Sequence, residues 1–180
     1  MRLKTQILSL TTLAVLGAAS LQSCNPKRAH AYNARTNVDP NGMAFIKEAH
    51  EGGLTEIGAS KLALKNSTNK EVTNLATMII KDHSEAAADI DILADNKYVF
   101  LRDTMNLEHK IMVDTLAKKS GVEFDKAYVE MMVKDHEEAS ELFKENIGST
   151  YTDIAEVAKK YYSKIEEHKK MAEDLKKKLK

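Results

Sequence analysis

The sequence predicts an all-α protein whose folded part is a ferritin-like four-helix bundle with a short extra helix in the crossover. Both prolines, Pro26 and Pro40, lie before residue 41, so the 140 residues that follow contain no proline. Four long segments of that region carry apolar side chains at helical spacing, which gives each of them one apolar face. Two prolines and seven glycines in 180 residues are also too few for a turn-rich sandwich or barrel.

Capping signals predict where the helices begin and end. Asp39 followed by Pro40 has the form of an N-cap and a first helical residue, and Thr68 with Glu71 forms a capping box. Asp125 is expected to cap the fourth helix. The first three predicted helices run from Pro40 to about Asn66, from the cap at Thr68 to about Asn96, and from about Thr104 to Lys119. The fourth runs from the cap at Asp125, with Phe124 and Val129 as a hydrophobic staple, to Gly148, and the fifth begins around Thr150 to Thr152 and continues to the C-terminus.

Composition excludes several classes of function. Lysine plus arginine and aspartate plus glutamate both number 27, and this balance argues against a nucleic-acid partner, because such proteins need a basic excess. One cysteine permits neither an intramolecular disulfide nor a zinc-finger framework. The sequence also lacks a phosphate-binding glycine loop, a nucleotide fingerprint and a nucleophile–base motif. We therefore favour a protein without catalytic activity, and expect a monomer or a homodimer.

The N-terminus has the form of a lipoprotein leader. A short basic start precedes an apolar run from Ile7 to Ala19, which is too short to span a bilayer. The run ends at Leu21-Gln22-Ser23-Cys24, which resembles the lipobox of bacterial lipoproteins. We expect removal of residues 1–23, lipidation of Cys24, a flexible tether over 24–38 and the bundle domain over 39–180. The membrane would be the partner, through this anchor on the periplasmic face, with the outer membrane favoured. The alternative is an ordinary signal peptide cut near Ala18 or Ala19, which leaves Cys24 as a free thiol.

One helical motif occurs twice. Residues Met78 to Ala86 recur as Met131 to Ala139, an offset of 53 residues, which indicates two helical hairpins related by a pseudo-two-fold axis. Four histidines fall on the apolar faces of the long helices: His50, His83, His136 and His168. Counting from the turns puts the first three at one level and His168 about 9 Å away along the axis. Glu56 lies nearby but off the main apolar face.

Three interpretations of these histidines compete. A di-iron carboxylate site needs Glu-x-x-His pairs, and Ile80 and Val133 stand where the glutamates would be. A transition-metal site, with copper as one candidate, could use the imidazoles, with Met132 one turn before His136. In the third interpretation, which the sequence favours, the histidines are structural and bond to carboxylates or carbonyls. Asp82 and Asp135 are expected to reach across to neighbouring helices.

Glycines inside the first helix need a separate explanation. Gly52, Gly53 and Gly58 each cost about 1 kcal/mol relative to alanine in a helix interior. We expect them where a neighbouring helix approaches closely or where the helix kinks.

The sequence resembles a bacterial family, the domain of unknown function 4142. The residues that carry the resemblance are Glu51-Gly52-Gly53, Glu56-Ile57-Gly58, Leu62-Ala63, Met78-x-x-x-Asp82-His83, Phe124-Asp125-x-x-Tyr128, Asp135-His136, Leu142-Phe143 and Ile165-x-x-His168, within residues 43–175. The resemblance implies a ferritin-like helical bundle in an exported, often membrane-associated protein, and implies no established reaction. His83, His136 and His168 fall on the family's recurring histidines, whereas His50 is less typical. The function that follows is a lipid-anchored envelope protein with a binding or stress-related module; the alternative is a metal-binding or redox bundle.

Overall fold

The computed structural model describes residues 35–179, which form five α-helices. They are α1 (Pro40–Asn66), α2 (Lys70–Lys97), α3 (Leu107–Leu116), α4 (Gly121–Asn146) and α5 (Thr152–Lys178). No strand occurs in this part of the chain. The predicted all-α class and the short helix in the crossover are therefore confirmed. The predicted leader, Cys24 and most of the tether lie outside the described residues.

Helix α1 starts as its capping residues predict, and α2 starts one residue later. The Asp39 carboxylate accepts from the Gly42 amide at 2.8 Å, with Pro40 in the first turn. At the start of α2 the cap is Asn69, not Thr68, since the Asn69 side chain accepts from the Glu71 amide at 2.9 Å. The predicted capping box is wrong in its residue, but the helix starts at nearly the expected place.

Helix α4 begins about one turn earlier than predicted. Its first residue is Gly121, which has a φ of +55°, and Ser120 is its N-cap. The left-handed φ needs glycine, so the chain enters the helix there and not at Asp125. Asp125 and Phe124 are consequently buried within the first turns of α4, and the predicted staple does not form at its start.

The packed region extends upstream of the predicted domain start. The Thr36 hydroxyl donates to the Lys97 carbonyl at 2.9 Å, and the Asn37 amide donates to the same oxygen at 3.3 Å. Val38 is buried against the core. Residues 36–38 of the predicted tether therefore lie against the C-terminal end of α2, because they satisfy a carbonyl that the helix itself leaves without a partner.

The bundle consists of two helical hairpins joined by a full-length crossover. Helix α1 packs beside α2 and α4, and α5 packs beside α4 and α2. One apolar cluster joins the N-terminal halves of α2 and α4 to the C-terminal halves of α1 and α5. A second cluster joins the opposite halves of the same helices. Helices α2 and α4 therefore run parallel, and residues 98–120, including α3, return the chain along the bundle.

A polar layer separates these two apolar clusters. On α2 the first cluster ends at Ile79 and the second begins at Ile90, and on α4 the corresponding residues are Met132 and Phe143. Between them lie His83 and His136, together with residues of α1 and α5 at the same level. No helix within residues 35–179 is both long enough and apolar enough to cross a bilayer.

Candidate metal centre

Three histidines from three helices meet in the polar layer. The ring centroids of His83, His136 and His168 lie 5.3–5.4 Å apart in all three pairs. One nitrogen from each ring lies within 4.8 Å of the other two. His136 and His168 are buried, and the His83 side chain is 11% exposed. Among residues 35–179 this is the one group of three metal-ligating side chains so close together.

A single buried carboxylate orients two of these rings. Glu56 of α1 places one oxygen 2.8 Å from His83 Nδ1 and the other 3.0 Å from His136 Nδ1. The His136 Nδ1–H group donates to the Met132 carbonyl oxygen at 3.0 Å, so Glu56 Oε1 is close to this ring without a hydrogen bond from it. Because only acceptors face these Nδ1 atoms, each Nδ1 carries a hydrogen, and when either ring is neutral its lone pair is on Nε2.

His168 is oriented by a different carboxylate, through its other nitrogen. His168 Nε2 lies 3.2 Å from Asp82 Oδ2, and Lys164 Nζ donates to Asp82 Oδ1 at 2.9 Å. The prediction that Asp82 reaches across to a neighbouring helix is thus confirmed. His168 Nδ1 and His136 Nε2 are both buried without a hydrogen-bond partner in the described chain. Two imidazole lone pairs therefore face the interior with no donor to bind.

Charge inside the layer is concentrated on one pair. Burial acts to raise the pKa of Glu56, but the attraction of His136 and His83 outweighs it and lowers that pKa to about 2. For His83, burial acts to lower the pKa, and the charge and hydrogen bond of Glu56 more than compensate, so its pKa is raised. Glu56 and His83 therefore each favour the charged form of the other.

The other two imidazoles, His136 and His168, are neutral near neutral pH. Burial lowers the pKa of His136 below its ordinary value, despite the opposing charge of Glu56. Burial, together with the charges of His136 and His83, lowers the pKa of His168 to about 4. A neutral imidazole is the form that binds a metal ion, so no proton competes at these two rings.

This donor set fits one transition-metal ion. Imidazole nitrogen binds zinc, copper, iron and nickel, and each metal-ligating histidine ordinarily donates its second N–H to a carboxylate or carbonyl. Glu56, Asp82 and the Met132 carbonyl occupy those supporting positions. With nitrogen–metal distances of about 2.0–2.1 Å, ligand nitrogens lie about 3.4 Å apart. The three rings need to close by about an ångström to hold an ion.

Asp135 is a further residue beside the layer with an unsatisfied polar atom. Its Oδ2 atom is buried and has no hydrogen-bond partner among residues 35–179. Burial, with the charges of Glu56 and Glu138 adding to it, raises the pKa of Asp135 to about 7. No cross-helix hydrogen bond of the kind that Asp82 makes is formed by this buried oxygen.

The structure changes which histidines share a level. His50 lies apart from the other three, with Nε2 2.9 Å from the Arg102 carbonyl oxygen and Nδ1 3.3 Å from Asp91. The prediction that His50 shares the layer and that His168 is displaced is wrong. Counting from turn midpoints treats each connection as level, whereas the five residues between α4 and α5 can climb along the bundle axis and bring His168 level with His136.

Glu56 is the central residue that the sequence pattern undervalued. Its side chain is 4% exposed, although it lies off the apolar face that the pattern defines. The neighbouring inward residues Ala59, Ser60 and Ala63 are small and fully buried. The signal available in the sequence was that Glu56 lies on the same helix face as the small residues Ala59, Ser60 and Ala63, a face that can be buried.

The three glycines of α1 differ in what surrounds them. A Cβ at Gly52 or Gly53 would meet no atom within 4 Å, so the expected close helix approach at these two positions is wrong. At Gly58 a Cβ would lie 2.5 Å from Met105 Cε, which is a close approach by a side chain of the crossover. Gly52 and Gly53 instead line a cavity between the helices.

Comparisons with known proteins give a family and a fold. A family model described as "Domain of unknown function (DUF4142)" matches residues 27–175. A DUF305 fragment from Deinococcus radiodurans has a similar structure, with a TM-score of 0.69, 12% sequence identity and coverage of 78% of this chain and 97% of that one. A DUF305 protein from Streptomyces coelicolor, described as a candidate secreted protein, has a TM-score of 0.61, 13% identity and coverage of 77% and 92%. No curated protein matches the chain.

Proposed function

We propose that this chain, which belongs to the DUF4142 family, binds one transition-metal ion through His83, His136 and His168 in the bacterial cell envelope. The observation that carries the proposal is the pair of buried lone pairs, on His136 Nε2 and His168 Nδ1, that have no partner within residues 35–179. A buried acceptor without a donor costs about 1–3 kcal/mol, and a bound cation removes that cost.

The supporting shell favours metal binding over a purely structural role. Structural histidines would be satisfied by bonds through both nitrogens, whereas here one nitrogen of each ring is held by an acceptor. Glu56 and Asp82 supply two negative charges close to the three imidazoles, which matches the charge of a divalent ion. An all-imidazole set suits copper and zinc, and copper binds more tightly to a given nitrogen site.

Anchoring at Cys24 is the second part of the proposal, and it rests on the leader sequence. Lipidation of a cysteine buries several acyl chains at about 0.8 kcal/mol per methylene, which holds a protein at a membrane stably. The bundle would then lie on the periplasmic side, tethered by residues 25–35. A metal centre in that position would meet metal ions as they enter the envelope, which is consistent with a binding or stress-related role.

Metal content tests the centre. The protein is purified without a polyhistidine tag, loaded with Cu²⁺ or Zn²⁺, dialysed and analysed for metal and folding. We expect one ion per chain, lost in His136→Ala and in His168→Ala. His50→Ala is the matched control, because that histidine lies outside the layer and should leave the ion bound. Equal metal content in all variants that fold, or no metal in the unaltered protein, would refute the proposal.

Fractionation tests the anchor independently. We expect Cys24→Ser to move the protein from the membrane fraction to the soluble fraction. A Ser23→Ala change, which keeps a small residue before the cysteine, should leave the protein in the membrane. Membrane retention of the Cys24→Ser protein at the level of the unaltered one would disprove lipid anchoring and leave the metal proposal intact.

A further inference from the structure

The two halves of the bundle can be compared position by position. The repeated motif equates α2 with α4 at an offset of 53 residues, so His83 corresponds to His136 and Ile90 to Phe143. Helices α1 and α5 correspond at an offset of 112, since they begin at 40 and 152 and end at 66 and 178. By the same offset, Glu56 corresponds to His168. The pair α2–α5 in one half is therefore equivalent to α4–α1 in the other.

One half is closed by a lysine of the chain itself. Lys164 of α5 donates to Asp82 at 2.9 Å and lies 3.7 Å from Glu85, both on α2. The next residue, Ile165, is buried in the second apolar cluster. An ammonium group on an aliphatic stem, with an apolar neighbour, thus fills the space beside these two carboxylates.

The equivalent place in the other half is empty of side chain. Offsets of 53 and 112 equate Asp82 and Glu85 with Asp135 and Glu138, and equate Lys164 and Ile165 with Gly52 and Gly53. A cavity of about 420 Å³ opens here and extends to Asp82, Lys164 and Ile165 of the first half. Its volume is within the usual range for small-molecule sites. No atom lies within 4 Å of a Cβ built at either glycine. Asp135 Oδ2 stays buried and unpartnered among the described residues.

The cavity combines an acidic end with an apolar wall. Asp135 and Glu138 line it beside the glycine pair, and His83 and Glu56 form its boundary with the histidine layer. The rest of the wall is mostly apolar and includes Ala86, Ile90, Ala139, Leu142, Phe143 and Ile165. Glu51 at the cavity pairs with His109, and Lys164 pairs with Asp82. Glu138 is exposed and lies 3.5 Å from Lys134 of the same helix, and Lys47 and Glu48 also line the cavity.

We propose that this cavity binds an organic primary ammonium ion, whose charged group lies between Asp135 and Glu138 and whose apolar body lies along the cavity wall. The ligand would stand where Lys164 and Ile165 stand in the other half. A buried carboxylate without a cation is unfavourable, and an ammonium ion carries both the charge and the donors that Asp135 lacks. This site requires no metal ion in the histidine layer.

Calorimetric titration of the metal-free protein tests the site. The probe is 2-phenylethylammonium, and 2-phenylethanol is the uncharged control of the same shape. We expect binding of the amine and no detectable binding of the alcohol. Asp135→Asn should weaken amine binding by about tenfold or more, because the ammonium loses its charged acceptor. Tm is measured for each variant.

Gly52→Lys is the decisive variant, because it recreates the closed half. A lysine at this position supplies the ammonium and its stem from the chain itself. We expect amine binding to be abolished while Tm rises, a combination that misfolding cannot produce. Gly148→Lys adds the same charge at a position where a Cβ also meets nothing, outside the cavity, and should leave binding unchanged. Absence of amine binding to the unaltered protein, equal binding of the alcohol, or unaltered binding in Gly52→Lys would overturn the proposal. None of these results bears on the metal content of the histidine layer.

Discussion

Glu56 and His168 occupy equivalent positions in the two halves of the bundle, yet one provides a carboxylate to the histidine layer and the other an imidazole. His168 presents a buried lone pair to the interior and rests on Asp82. Glu56 presents a carboxylate that holds His83 and His136. If both positions were histidine, His83 Nδ1 would lose the carboxylate that now accepts its hydrogen. If both were glutamate, two like charges would meet in the interior.

The difference shows which part of the molecule the duplication provides. The repeated helices provide the packed core of the bundle. Core residues of α2 correspond to core residues of α4 at the offset of 53, as Ile79 corresponds to Met132. The departures from symmetry supply the unsatisfied groups. They are the free lone pairs of the histidine layer and the unpartnered oxygen of Asp135. Function is therefore to be sought where the halves differ.

The largest effect is expected from Glu56→Gln. The amide keeps the size of the side chain but removes the charge and presents donors to rings that also donate. Loss of one partner of a buried charged pair costs about 3 kcal/mol, which urea unfolding of the metal-free protein measures. Metal affinity should fall by about 10–100-fold, as it does when a supporting acceptor is removed.

Glu51→Gln is the matched control for that variant. Glu51 is also a glutamate of α1 and also accepts from a histidine, His109, but it lies outside the layer. We expect little change in metal affinity there. Equal loss of affinity in both variants would show that general charge near α1, and not the position of Glu56, governs binding.

Asp135→Asn should stabilise the metal-free protein, and only at higher pH. The pKa of Asp135 is raised to about 7 in the folded chain, above the ordinary value of 3.8. The folded state therefore binds the proton more tightly, and its stability falls as pH rises from about 4 to about 7. Removing the carboxyl should gain on the order of 2 kcal/mol at pH 8 and nothing at pH 4. A variant less stable than the unaltered protein at pH 8 would contradict this.

Asp82→Asn, at the equivalent position, should have the opposite sign. Burial acts to raise the pKa of Asp82, but Lys164 and His168 outweigh it and lower that pKa. Its contribution is present above the unfolded-state pKa and is lost as pH falls through the lower folded value. We expect a loss of about 1 kcal/mol at pH 8 that disappears in acid, measured by the same urea titrations. Equal signs for the two aspartates would remove the asymmetry between the halves.

Much of the fold could be predicted from the sequence, because the signals involved are local. The Asp39 cap predicts where α1 begins, and the absence of proline after Pro40 allows long helices. The repeated motif then predicts two helical hairpins, which the structure contains. The histidine layer was predicted only in part. Which residues share a level depends on how far a connection climbs along the bundle axis, and no local pattern records that distance.

The cavity could not be predicted from the sequence pattern. A Gly-Gly pair in a helix is compatible both with a closely packed neighbouring helix and with an open cavity. Only the packed structure shows that Gly52 and Gly53 face open space. The offset of 112 between α1 and α5 is likewise invisible without the helix ends, since the two helices share little sequence. The repeated motif predicts the same cross-helix role for Asp135 as for Asp82. The difference between them arises from Lys164, which lies 82 residues from Asp82 in the sequence, so the motif itself does not contain it.

The smallest change in stability is expected from replacing glycines of α1 by alanine. Comparing Gly53 with Gly58 distinguishes a glycine beside open space from one in close contact with a side chain. Gly53→Ala should stabilise the protein by about 0.5–1 kcal/mol, because alanine has the higher helix propensity and its methyl group enters open space. Gly58→Ala gains the same propensity but must displace the Met105 side chain, so its net change should be near zero. Thermal unfolding of the two variants beside the unaltered protein measures both. A destabilised Gly53→Ala would mean that the cavity wall closes against α1 in solution, and the asymmetry between the two halves would then be smaller than the structure indicates.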